Sequence, residues 1–472
     1  MTSRPMADSY PPALAVAAEQ ARRFLDGIEE RPVQPSASRA QLHERLGGPL
    51  PDESSDPAEV VSALAAGADP GLLGIQSPRF FGFVIGGAHP AALAADWLTS
   101  AWDQNAGLYI GSPAASVVER VVAGWLLDLL GLPDDASVGF VTGGQMATWT
   151  CLAAARNEVL RGAGWDVEAD GLLGGPPVNV VVGAQRHGTV DRSLRFLGLG
   201  TSGMRVVPSD EQGRMSLAEL EPVLRSCSGP TIVVAQAGNV NTGAVDPIGP
   251  VCEAAHELGA WVHIDGAFGL WAQASRRLRH LTAGVEQADS WSVDAHKWLN
   301  VPYDSGMAIV RRPQAHKSAL GTRASYLVHD EDEAHDQMNW NPEHSRRARG
   351  FALWALLRTL GRRGVEALVD DLCDRARQFA EALDAVDGVE VLNDVVLNQV
   401  LVGFDGDDPD ARTVEVIQRI QDDGTCWMSG TTWHGRAAMR ISVSNWATTP
   451  ADVDRSVEAI LRCAELESAP RS

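Results

Sequence analysis

The sequence predicts an α/β protein, in which a mainly parallel sheet covered by helices is followed by a smaller α+β unit. Three observations point there. Short runs rich in β-branched residues (178–182, 204–207, 231–235 and 261–264) alternate with helical stretches such as 115–130 and 145–160. Strands that read as continuous apolar runs between helices are those buried on both faces of a sheet. Beyond residue 345 the pattern changes to one long helical stretch followed by strand-like pieces.

Taken in order, apolar residues at helical spacing over residues 12–28 (Leu14, Val16, Ala17, Phe24, Leu25, Ile28) predict an N-terminal helical arm. Pro/Ser and acidic segments at 31–38 and 50–57 punctuate it, and Pro70 and Gly71 close it near residue 75. Residues 76–344 form the α/β domain. Residues 345–472 form the small domain, with a helix to 386, strands at 389–392, 399–404 and 438–443, and a last helix over 450–465.

Composition narrows the function. A chain of 472 residues, 45% hydrophobic and 21% charged, is long enough for a large core and is neither collagen-like nor disordered. The formal net charge of −22 argues against nucleic acid and anionic membrane as partners, because both would be repelled. No apolar run reaches the roughly 20 residues a bilayer needs. The start carries no secretory pattern. The six cysteines lack CxxC spacing and read as reduced core thiols, so a cytoplasmic enzyme or binding protein is expected.

Five segments carry chemistry. In SWSVDAHKWLNVPYDSG (290–306), Lys297 sits among Val293, Trp298, Leu299 and Val301, surroundings in which an amine becomes a nucleophile toward an aldehyde. WVHIDGAFGLW (261–271) delivers Asp265 at the carboxyl end of a buried strand, beside the small residues Gly266 and Ala267. An acid in a dry crevice needs a cation, which a protonated ring nitrogen would supply. His263, Asp265 and His296 could instead ligate a metal, although the cation would then repel Lys297. FVTGGQMATWT (140–150) runs from a strand through two glycines into a helix whose free N–H groups form an anion site. QRHGTVD (185–191) places His187 at another strand exit, and AGNVNTGAVD (237–246) offers Asn239, Asn241 and Thr242.

One ligand combines an aldehyde, a ring nitrogen, a flat face and a phosphate, and it is pyridoxal 5′-phosphate. On the DAHKWLNVPYDSG and HIDGAFG motifs, the chain resembles the group II pyridoxal-dependent decarboxylases, relatives of aromatic amino acid and glutamate decarboxylases, over about residues 75–465. The resemblance implies the fold type I (aspartate aminotransferase-like) architecture with a mainly parallel seven-stranded sheet. It implies an L-amino acid substrate, release of CO2 and an amine, and a homodimer. It makes Lys297 the internal-aldimine lysine, Asp265 the partner of the ring nitrogen, and His187 and Ala267 the residues on the two ring faces. Gly144 and Gln145 match the phosphate turn, His296 the histidine before the lysine, and Asn239 a further cofactor contact. Tyr326 (ASYLVH) falls where relatives place a proton-donating phenol in a loop, ahead of Trp340, Arg346 and Arg347.

Relatives with Phe at that loop position can oxidise the intermediate to an aldehyde, so oxidative decarboxylation is the alternative, with carbon–carbon lysis and a catalytically silent fold relative behind it. The acidic run 330–336 reads as a solvated loop. Phe80, Phe81, Phe83 and Tyr109 are candidates for the substrate pocket, and Arg440 for a substrate carboxylate.

Overall fold

The computed structural model describes residues 6–321 and 336–465. Its large sheet has seven strands: β1 (Ser137–Val141), β2 (Asn179–Gly183), β3 (Arg205–Val207), β4 (Thr231–Gln236), β5 (Trp261–Asp265), β6 (Ser290–Asp294) and β7 (Gly306–Val310). They lie in the order β1-β7-β6-β5-β4-β2-β3. Only β7 runs against its neighbours, β1 and β6. The chain between Asp294 and Gly306 is too short for the crossover a parallel neighbour demands, so β7 returns antiparallel. Lys297 lies in that short return.

Alternation along the strands feeds two cores. Val180, Val182, Ile232, Val234 and Trp261 pack on one face with Cys151 and Leu152 of helix Gly144–Gly162. Val181, Val233, Val262, Ile264 and Trp291 pack on the other with Leu126 and Leu130 of helix Pro113–Leu130. Each fully buried Val or Ile contributes about 1.5–3 kcal/mol, so strands covered on both faces hold the sheet without a polar surface.

The smaller sheet is antiparallel, with β8 (Val389–Val391), β9 (Gln399–Phe404), β10 (Ser429–Trp433) and β11 (Arg436–Ser442) in the order β10-β11-β9-β8. Helix Gly350–Asp384 joins the two halves. It packs on helices Pro90–Trp102 and Pro113–Leu130 and, further along, on helix Pro450–Cys463. It breaks at Gly361, where φ is 60°, a value that favours glycine. The arm is built from helices Met6–Asp26, Arg39–Leu46 and Pro57–Ala68. No helix among the described residues is long and apolar enough to cross a membrane.

Arg346 locks the edge of the large sheet. Its guanidinium donates to Glu119 on helix Pro113–Leu130, to Ala106 O and to Phe140 O of β1. Burial pushes the Glu119 carboxyl up to about 6 against the pull of Arg346. Tyr326 and most of the acidic run 330–336 lie outside the described residues. Its last member, Asp336, is not solvated as the sequence suggests: it is buried, and its Oδ1 accepts the Tyr109 N–H at 3.0 Å.

Candidate active site

Five strand ends meet at one edge of the large sheet. β1 leads into Gly143 and Gly144, β2 into His187, β4 into Gly238 and Val240, β5 into Asp265 and Ala267, and β6 into Asp294 and Lys297. Because β1, β2, β4, β5 and β6 all point the same way, their carboxyl ends open into one crevice. The crevice there is lined by Gly144, Gln145, His187, Asp265, Ala267 and Lys297, with Val84 and Phe268 as apolar wall.

Lys297 leaves its apolar neighbours for the cavity: Trp298, Leu299 and Val301 are buried beside it. Its Nζ stands 3.1 Å from Asp294 Oδ2, an acid the motif reading passed over. Asp265 is nearly buried, and its Oδ1 accepts the Ala267 N–H at 3.3 Å. No cation pairs with it among the described residues. His187 caps helix Gly188–Phe196, its Nδ1 accepting the Thr189 N–H at 3.3 Å, which leaves the ring proton on Nε2. The ring faces the open cavity yet is walled by protein, and that burial lowers its pKa while Asp265 opposes the shift. His187 is therefore a neutral imidazole at pH 7.

The turn after β1 is tight. A Cβ on Gly143 would stand 2.8 Å from His296 Cε1, so glycine is required there by close approach. Gln145 Nε2 donates to Ser193 Oγ at 2.9 Å, tying this helix start to the one that begins at His187.

Two expected residues stand elsewhere. Asn239 is buried beneath the loop after β4: its Nδ2 donates to Gln185 O and its Oδ1 accepts the N–H groups of Asn241 and Thr242, so Gly238 and Val240 reach the cavity instead. His296 lies behind the glycine turn, with Nδ1 accepting the Ser305 N–H. Tyr326 is outside the described residues.

Phe80 and Phe81 are core rather than pocket: Phe80 stacks on Trp427 and Phe81 meets Phe379 edge-on. Phe83 and Tyr109 are exposed and do not line the cavity. Arg440 is buried beside Val240 and donates to its carbonyl at 3.3 Å, while its Nε has no partner. The alternative metal set does not assemble. His263 Nδ1 pairs with Ser290 Oγ, and no three metal-ligating side chains converge among the described residues.

The residues fit pyridoxal phosphate. A nearly buried carboxylate without a cation suits a protonated ring nitrogen. The glycine turn at a helix start suits a phosphate, and a primary amine on the same cavity suits the aldehyde.

Comparison with known proteins agrees. Residues 41–405 match the pyridoxal-dependent decarboxylase conserved domain. The aromatic-L-amino-acid decarboxylase of Bacillus atrophaeus is 26% identical over 456 residues, covering 93% of this chain and 92% of that protein. A phenylacetaldehyde synthase of Petunia hybrida is 27% identical over 385 residues, 78% of this chain and 74% of that protein. The crystal structure of Oryza sativa TDC with PLP and tryptamine superposes with a TM-score of 0.92 at 26% identity, over 98% of this chain and 99% of that one. The chain belongs to the pyridoxal-dependent decarboxylase family, has its fold type I architecture, and is a pyridoxal phosphate-dependent carboxy-lyase acting on amino acids.

Proposed function

We propose that the substrate is an aromatic L-amino acid, released as CO2 and the corresponding amine. The single observation that carries this reading is the shared cavity of Lys297, Asp265 and His187. Two similarities favour an aromatic substrate: the Bacillus relative is an aromatic-L-amino-acid decarboxylase, and the Oryza structure holds tryptamine. When bound, pyridoxal phosphate supplies the aldehyde that captures the substrate amine and the charged ring that accepts the electrons released with CO2.

In this assignment Lys297 holds the cofactor through Nζ, and Asp265 keeps the ring nitrogen charged. His187 and Ala267 flank the ring, and Gly144 and Gln145 hold the phosphate. His296 and Asn239 act through the backbone they brace. Arg440, buried without an acidic partner among the described residues, orients the substrate carboxylate. Tyr326 delivers the proton to the substrate carbon, with neutral His187 as the nearest described substitute.

The working form is a homodimer. Trp97, Leu98, Trp102, Ile110 and Val117 expose apolar surface on neighbouring segments that a second copy would cover. Six unpaired cysteines favour the cytoplasm. The divisions near residues 75 and 344 place helix Gly350–Asp384 at the start of the small domain.

Aldehyde formation is the second reading, favoured by the similarity to a phenylacetaldehyde synthase. A panel of amino acids assayed together for CO2, amine, aldehyde and O2 uptake decides between them. Amine without O2 consumption supports decarboxylation, and aldehyde with O2 consumption replaces it. Turnover of acidic or aliphatic substrates alone overturns the aromatic assignment.

A further inference from the structure

The reactive amine has a partner that neither motif reading nor similarity assigns. Asp294 Oδ2 stands 3.1 Å from Lys297 Nζ, and the Asp294 side chain is only 2% exposed. A carboxylate that dry is costly unless a positive charge or hydrogen-bond donors stand beside it. The rest of the chain sharpens the point, because Lys297 and Lys317 are its two lysines. The fold sets one of them against a buried acid and leaves Lys317 exposed on helix Pro313–Leu320.

The carboxylate is closely enclosed. β6 ends at Asp294, whose main-chain N–H donates to Ala267 O at 3.0 Å, and Gly144 packs against the carboxylate. On the far side, Ser305 N–H donates to His296 Nδ1 at 3.1 Å, which fixes the ring proton on Nε2. That nitrogen stands 3.5 Å from Asp294 Oδ1, and the Tyr303 ring packs on the imidazole with centroids 4.4 Å apart. The other ionisable groups facing the pair from adjoining elements are Asp265 and His187, and burial disfavours the charged forms of His187 and His296. Lys297 is thus the cation that answers Asp294.

We propose that Asp294 is a positioning residue that acts as the fixed counter-ion of Lys297, holding its nitrogen beside the Gly143–Gly144 turn whenever that nitrogen is not covalently engaged. The assignment rests on the reading that Lys297 is the cofactor's amine, but its test involves no turnover.

The test is reductive methylation of the cofactor-free protein with formaldehyde and cyanoborohydride, read peptide by peptide by mass spectrometry. Only an unprotonated amine attacks formaldehyde, and Lys317 is the internal standard. In Asp294→Asn, Lys297 is labelled on the order of 10-fold faster at pH 7.5 than in the wild type, the scale expected when a close opposite charge is removed, with Lys317 unchanged. Asp294→Glu restores slow labelling. A Lys297 rate within about twofold of wild type in Asp294→Asn overturns the proposal.

Should the Asn variant not fold, the wild type answers alone. A lysine held by Asp294 is labelled more slowly than exposed Lys317 at the same pH, whereas a Lys297 rate equal to or above that of Lys317 overturns the assignment. A failed decarboxylase assay leaves either result standing.

Discussion

Gly144 and Asp294 approach so closely that a Cβ on the glycine would stand 2.7 Å from Asp294 Oδ2. The helix start that would receive the phosphate and the acid that answers the lysine are therefore one packed unit. A methyl group at residue 144 must displace the carboxylate or the turn, a strain of about 1–3 kcal/mol. Gly144→Ala is expected to weaken pyridoxal phosphate binding by about 5- to 150-fold, measured by calorimetric titration of cofactor-free protein. Unchanged affinity would place the phosphate elsewhere.

Asp265 is the other charge on which the chemistry depends. Asp265→Asn keeps the shape of the β5 end but removes the countercharge of the ring nitrogen. The decarboxylation rate is expected to fall by on the order of 100- to 1,000-fold, with covalent cofactor attachment retained. A variant with wild-type kcat would remove Asp265 from the mechanism.

Tyr326 is tested by product rather than by rate. Tyr326→Phe removes the phenolic proton and is expected to shift product from amine toward aldehyde, with O2 consumed in proportion. If rate and ratio stay unchanged, another group supplies the proton, with His187 first in line.

The Arg346–Glu119 pair is structural. Both side chains are 1% exposed, so removing one leaves the other charge buried and alone. Arg346→Met is expected to cost about 3–5 kcal/mol in urea unfolding. The combined Arg346→Met, Glu119→Leu variant should recover part of that loss, and a single variant within 1 kcal/mol of wild type would contradict the assignment.

His263 sets part of the acid sensitivity. Burial holds its pKa down at about 4, so below pH 6.5 the unfolded chain takes up a proton that the folded chain refuses. Its contribution is complete above pH 6.5 and falls away as pH drops toward 4, by up to about 3 kcal/mol. Glu119 and Asp246, both pushed up to about 6 by burial, work in the opposite direction, favouring the fold at lower pH. Comparison of wild type with His263→Gln isolates the histidine: the variant should lose less stability between pH 6.5 and 4. Parallel curves would show that His263 is protonated in the fold.

Much of this was legible in the chain because its signals are local. The apolar runs that became β2, β4 and β5, the glycine turn after β1, and the apolar company of Lys297 all sit within a few residues of what they do. What could not be read is long-range. Asp294 resembles any acid three residues before a lysine until β6 and helix Gly144–Gly162 enclose it. Asn239 reads as a cofactor contact, yet the buried N–H groups of its own loop claim it. Phe80 and Phe81 look like pocket aromatics because only the fold brings Trp427 and Phe379 against them. β10 went unnoticed since Ser429–Trp433 has little apolar content and is held by pairing with β11.

With two lysines in the chain, one measurement bears most directly on the whole mechanism. Protein loaded with pyridoxal phosphate, reduced with borohydride and digested, should carry the pyridoxyl mass on the peptide containing Lys297 and none on that containing Lys317. A label on Lys317, or no covalent label after loading, would mean that the crevice at the carboxyl ends of β5 and β6 is not where the cofactor is held.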